Sequence, residues 1–128
     1  MTLTASQIKC LIALGSLSQI NREIASKDVA KLLGVSRPSI HKVLDILSRE
    51  QLTEKAPYGA IHLTPTGRAL AEAMTARQER RMVMFADHFG LALDEGSLAA
   101  TQLMSTLSES SLERLEISAE FSWKQHKM

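Results

Sequence analysis

The chain has 128 residues, of which 45% are hydrophobic and 4% aromatic, with 15 basic residues against 14 acidic ones for a net charge of +1. That length suits one domain or two small ones, and so few aromatics in a Leu-, Ala-, Ser-, Glu- and Met-rich alphabet favour helices packed on helices over a sandwich or barrel. One cysteine excludes an internal disulfide and a tetrathiolate zinc site and fits a reducing cytosol, while the longest strongly apolar stretch, Cys10 to Leu14, is too short to span a bilayer.

Thr2 to Gln7 has no basic segment ahead of an apolar run, so no signal peptide is expected. Thr4-Ala5-Ser6-Gln7 is a capping-box pattern and predicts a helix in which Ile8, Leu11, Ile12, Cys10, Leu14 and Leu17 face inward. Its apolar residues run nearly all round, as in a helix buried between other elements. Ser18 to Asn21 breaks the pattern. Ser26 is the expected N-cap of a second helix carrying Val29, Ala30, Leu32 and Leu33, with Asp28 in its first turn and Gly34 as its stop. Ser36-Arg37-Pro38-Ser39 opens a third helix, where Ile40, Val43, Leu44 and Leu47 recur at i, i+3, i+4, i+7 and Ser39, His41, Lys42, Asp45 and Arg49 take the opposite face.

Leu52 to Lys55 and Ala60 to Leu63 read as two short strands about a Pro57-Tyr58-Gly59 turn. Thr64-Pro65-Thr66-Gly67 predicts the start of a long helix that ends at Gly90, with Leu70, Met74, Met82, Phe85 and Phe89 on its inward stripe. Asp94 to Ser97 reads as a linker or cap. Two shorter helices follow, Leu98 to Leu107 and Leu112 to about Trp123, the last capped by Ser108 or Ser110, with a second capping box at Ser110 and Glu113.

Val29 to Val43 fits a helix-turn-helix. Two helices joined by a three-residue turn need a small residue where they cross, Ala30, and a residue tolerant of positive φ in the turn, Gly34. Val29, Leu33, Val35, Ile40 and Val43 then take the buried positions. The following strand pair adds a wing. The third helix presents Ser36, Arg37, Pro38, Ser39, His41 and Lys42, and the wing presents Lys55 and Tyr58, as candidate DNA contacts. Arg37 and Lys42 suit guanine O6 and N7 or phosphates, and the two serines with the N–H groups of the helix start suit a phosphate. Each is otherwise a solvated surface side chain. Met1 to Arg68 holds nine basic and five acidic residues, a balance of +4, and Ala69 to Met128 carries −3. This asymmetry points to a polyanion partner for the first half, or to an ordinary mixed surface.

The order of elements, together with Val29-Ala30-Lys31-Leu32-Leu33-Gly34-Val35-Ser36-Arg37-Pro38-Ser39 and Leu63-Thr64-Pro65-Thr66-Gly67-Arg68, resembles the diphtheria-toxin-repressor/manganese-transport-regulator family of bacterial metalloregulators. The second segment is a distinctive family feature, and Leu107-Ser108 with Glu113-Arg114-Leu115 fits the family's last core helix. The resemblance covers Ala5 to Leu115. It implies a mainly α fold, with a winged helix-turn-helix over residues 1–64, a helical dimerization domain over 65–123 and a flexible tail over 124–128. It also implies a homodimer in the cytoplasm, each winged helix entering half of a palindromic operator in double-stranded DNA.

Family members bind Mn²⁺ or Fe²⁺ through carboxylates, His, and in some cases Met and Cys. At the matching positions this chain has Lys9, Gln78, Met82, Ser97, Thr101, Met104 and Ser105. A protonated ammonium cannot coordinate, hydroxyls are poor ligands, and thioethers suit softer ions such as Cu(I). The expectation is therefore no metal cofactor, with Lys9 supplying the metal's positive charge. The alternatives are a shifted Mn²⁺ or Fe²⁺ site from Asp87, His88, Asp94 and Glu95, or a winged helix used to dock proteins. Cys10 is either core or a thiol sensor activated by Lys9. Met74, Met82, Met84 and Met104 are either adaptable packing or the lining of an apolar effector pocket. His62 on the wing and His126 in the tail have no evident partner. No nucleophile, phosphate loop or carboxylate pair points to an enzyme.

Overall fold

The structure, a computed structural model, describes residues 3–127, and the side chains of all of these except residues 105 and 119–127. The chain is mainly α-helical and forms two compact units, Met1–Thr75 and Ala76–Met128.

In the first unit α1 (Ala5–Ser18) starts on the capping box, with Thr4 accepting from the Gln7 N–H and Gln7 accepting in return from Thr4. Cys10, Leu11 and Leu14 are fully buried. α2 (Ser26–Leu33) starts one residue earlier than expected: Ala25 is the N-cap and offers no side-chain bond, and Ser26, the expected cap, is already helical. Asp28 in the first turn is placed to favour the helix dipole in place of a cap. Gly34 ends α2 at φ 67°, which a side chain at this position would disfavour. α3 (Arg37–Arg49) follows after three residues, with Ser36 as N-cap accepting from the Ser39 N–H at 3.3 Å.

The helix-turn-helix core uses Val29, Ala30, Ile40, Leu44 and Leu47, all buried, with Leu33 and Val43 packed partly against it. Val35 departs from expectation and is 44% exposed. It sits in the three-residue turn, where its N–H donates to the Ala30 carbonyl.

The wing is β1 (Thr53–Lys55) paired antiparallel with β2 (Ile61–Leu63), Thr53 opposite Leu63 and Lys55 opposite Ile61. Ile24 in the α1–α2 loop bridges Ile61 through two backbone bonds of 3.1 and 2.8 Å, so the loop lies along the outer edge of β2. Leu52, fully buried, anchors the wing to the core that Ala71 also enters. α4 (Pro65–His88) is capped by Thr64, whose hydroxyl donates to the Gln51 carbonyl at 2.7 Å and accepts from the Gly67 N–H at 3.0 Å.

In the second unit the later half of α4 is joined by α5 (Leu93–Thr106) and α6 (Glu109–Lys127). Phe85 and Ala86 are buried, but Phe89, expected on the inward stripe, is 51% exposed. α4 ends at His88, so Phe89 leaves the helical register and lies against the rings of Phe85 and His88 instead. α5 begins at Leu93 and takes in Asp94 to Ser97, the expected linker; its N-cap Ala92 has no side-chain acceptor, while Asp94 and Glu95 fall in the first turn. α6 begins at Glu109, earlier than expected, with Ser108 accepting from the Ser111 N–H at 3.2 Å. Ser110 is therefore inside the helix, and Glu113 pairs with Arg77 rather than completing a capping box. The side chains of the expected tail, Lys124 to Met128 with His126, lie outside those described.

Arg81 on α4 is 5% exposed and meets both Glu109 and Glu116 of α6, at 2.8 and 3.1 Å. Burial lowers its pKa, but the hydrogen bonds and charges of the two glutamates outweigh that, and the net shift is upward. Arg77 and Arg80 add pairs to Glu109, Glu113 and Glu116 nearer the surface.

Candidate nucleic-acid interface

α3 turns one polar face outward because its apolar residues repeat at helical spacing on the other. Ser36, Arg37, Pro38, Ser39, His41 and Lys42 are all exposed, followed along the same helix by Asp45 and Arg49. The helix start offers fewer phosphate-binding groups than its sequence suggests. The Ser39 N–H is taken by Ser36, Pro38 has none, and the Ser36 hydroxyl also donates to Ser39 Oγ at 2.9 Å. The charged groups Arg37 and Lys42 make no ion pair among the described residues.

Lys55 is exposed at the end of β1. Tyr58, at the wing turn, is 69% exposed but its hydroxyl is engaged, donating to the Glu23 carboxylate in the α1–α2 loop. That bond, with smaller contributions from desolvation and the Glu23 charge, raises the phenol pKa above its ordinary value. Glu23, Lys27, Arg37 and Tyr58 line one open groove of about 380 Å³ between the loop, the helix starts and the wing. Sequence reading found Arg37 and Tyr58 but neither Glu23 nor Lys27. Glu23 lies 35 residues from Tyr58, a separation at which no periodicity signals a contact.

The residues that the resemblance aligns with metal ligands are a donor set poorly suited to Mn²⁺ or Fe²⁺. It holds no carboxylate and no imidazole, and the Thr101 hydroxyl donates to the Ser97 carbonyl at 2.8 Å. Gln78, Met82, Ser97 and Met104 are half-buried, Lys9 is exposed, and the Ser105 side chain is outside those described. Asp87, His88, Asp94 and Glu95 are all exposed, and among the described residues no three His, Cys, Asp or Glu side chains gather into a group that could hold a metal ion. Met74, Met82, Met84 and Met104 are half-buried.

Cys10 is fully buried, and burial pushes its thiol up to about 12. The thiol therefore stays protonated at neutral pH, against activation by the exposed Lys9. Iodoacetamide at pH 8 is expected to leave Cys10 unmodified in the folded protein and to label it fully in denaturant. Rapid labelling of the native chain, read by mass, would contradict this burial.

No protein-family model and no curated protein sequence matches the chain. Solved structures do. IdeR of T. acidophilum aligns with a TM-score of 0.63 and 20% identity over 89% of this chain and 53% of its own. The manganese regulator SloR aligns at 0.59 and 25% identity, over 94% of this chain and 55% of its own. Lactococcus lactis ZitR, solved in complex with DNA, aligns at 0.58 and 16% identity over 82% of this chain and 73% of its own. The chain thus spans just over half the length of the first two. With a winged helix of this order and a long helix opened by the Leu63 to Arg68 segment, the chain resembles the diphtheria-toxin-repressor/manganese-transport-regulator metalloregulators.

Proposed function

We propose that the chain is a sequence-specific DNA-binding transcription regulator, acting in the cytoplasm as a homodimer on a palindromic operator and without control by Mn²⁺ or Fe²⁺. The carrying observation is the outward face of α3, which is polar and holds two cations that make no ion pair among the described residues, where a docking helix would present apolar residues. Structural neighbours that include a manganese regulator, and one solved in complex with DNA, support the same reading. Among the described residues no helix is long and apolar enough to cross a membrane. Val83, Leu93, Leu98 and Ile117 expose apolar surface in the second unit, which suits a second copy of the chain. In this reading Ser36, Arg37, Pro38, Ser39, His41, Lys42, Lys55 and Tyr58 face the operator, and Lys9 supplies a fixed positive charge in place of a metal ion's.

The test is binding to DNA upstream of the chain's own coding sequence, first with EDTA and then with Mn²⁺ or Fe²⁺. Wild-type affinity is expected to ignore both. The double variant Arg37→Ala, Lys42→Ala should bind about 10- to 100-fold more weakly, with a salt dependence flatter by about one ion per lost phosphate contact. Metal-dependent binding would restore metal control through other ligands. Wild-type DNA affinity in the double variant would remove α3 from the interface and favour protein docking.

A further inference from the structure

The Glu23 carboxylate lines a groove that also holds Lys27 and Arg37, next to the proposed DNA face. A free carboxylate there would repel phosphate and weaken binding. The hydrogen bond that Glu23 accepts from the neutral Tyr58 hydroxyl does not remove that charge, but it ties the loop to the wing turn. The next residue, Ile24, forms the two-bond bridge to Ile61. Two consecutive loop residues therefore hold the wing at two points, the strand edge and the turn. The wing needs such support: its strands have three residues each, and an isolated pair of that length is marginal in water. The turn is closed by the Ala56 N–H to the Ala60 carbonyl at 2.8 Å and the Gly59 N–H to Ala56 at 2.9 Å, with Gly59 at φ 92°. Tyr58 projects from this turn with most of its ring in solvent, so packing does little to fix it.

We propose that Glu23 is a positioning residue for DNA binding, its carboxylate latching Tyr58 so that the wing turn is held beside Arg37 in the attitude that meets the DNA backbone. This rests on the DNA-binding reading above. The raised phenol pKa is consistent with the latch, since a phenol donating to a carboxylate resists losing its proton. The latch makes two rival roles distinguishable by sign. A merely repulsive Glu23 predicts tighter binding once it is removed. A Tyr58 hydroxyl that contacts phosphate directly predicts that Tyr58→Phe weakens binding while Glu23→Ala, which frees the hydroxyl, does not. A latch predicts that both substitutions weaken binding and that together they cost no more than one alone.

Tyr58 is the chain's one tyrosine, so its ionisation is read directly from ultraviolet absorbance. The experiment pairs that titration with affinity for the upstream DNA, in wild type, Glu23→Ala, Glu23→Gln, Tyr58→Phe and the double variant. The wild-type phenol should ionise above the ordinary range and fall back toward it in Glu23→Ala. Tyr58→Phe and Glu23→Ala should each lose about three- to tenfold in affinity, the double variant no more, and Glu23→Gln, which keeps an acceptor, should bind at least as tightly as wild type. An identical phenol titration in wild type and Glu23→Ala would overturn the latch. A shifted phenol with unchanged or tighter DNA binding in Glu23→Ala would overturn its positioning role. Failure of the underlying reading looks different: the wild type itself would bind no DNA, whatever the titration shows.

Discussion

Gly67→Ala is expected to unfold the first unit at a temperature roughly 12–30 °C lower, a loss of about 3–4 kcal/mol. Gly67 is in the first turn of α4, and its φ is not in the left-handed region, so conformation is not what requires glycine there. By helix propensity alone the substitution should stabilise the chain by about 1 kcal/mol. Contact decides the sign instead. A Cβ at residue 67 would lie 1.9 Å from the Leu52 carbonyl oxygen and 2.8 Å from its carbon. These are backbone atoms of a fully buried residue, and the Leu52 carbonyl also accepts the Thr64 N–H at 3.1 Å. α4 would have to move away from the wing's root, breaking that bond and the Thr64 cap together. Overpacking of this kind costs about 1–3 kcal/mol where side chains can give way and more where backbone cannot. A thermal melt by circular dichroism checks it, and an unchanged or raised Tm would show that α4 approaches Leu52 less closely than described.

That contact also explains which parts of the fold were legible. Leu63 to Arg68 stood out in the sequence as a family feature, and three of its residues meet a backbone demand: Thr64 caps, Pro65 starts the helix and Gly67 admits Leu52. The helix-turn-helix was legible for the same reason, through Ala30, Gly34 and the Ser36 cap. The start of α5 was not. Ala92 carries no capping side chain, and Asp94-Glu95-Gly96 has linker composition. Position 96 inside the helix takes a glycine because a Cβ there would meet Ala86 Cβ at 2.1 Å, a close approach of α5 to α4 that no local pattern reveals. Ala25 misled the start of α2 in the same way. At the candidate site, the exposed cations of α3 followed from helical periodicity, whereas Glu23 belongs to it through a contact across the fold.

Arg81 was invisible to periodicity, because a charged side chain on an amphipathic helix reads as solvated, yet its removal is expected to cost the second unit about 3 kcal/mol. The guanidinium reaches Glu109 through one nitrogen and Glu116 through another, a fork that a lysine cannot reproduce. Arg81→Met would keep the stem's apolar contacts and strand two carboxylates. Their side chains are only 14% exposed for Glu116 and 30% for Glu109, so water compensates the first poorly and the second in part. Glu109 retains Arg77 at 3.6 Å, which places the expected loss at the lower end of the range for breaking a buried pair. Arg80→Ala is the contrasting substitution. Its side chain is 66% exposed and 3.8 Å from Glu116, so its removal should cost less than about 1 kcal/mol and vanish in high salt. Arg81→Met combined with Glu116→Leu separates attraction from stranding. If the loss in the single variant comes from an uncompensated carboxylate, the double variant should recover most of it, because an apolar pair of similar volume needs no counter-charge. Denaturant melts of the four proteins check the series, and a single variant as stable as Arg80→Ala would show that Arg81 is not the buried tie between α4 and α6.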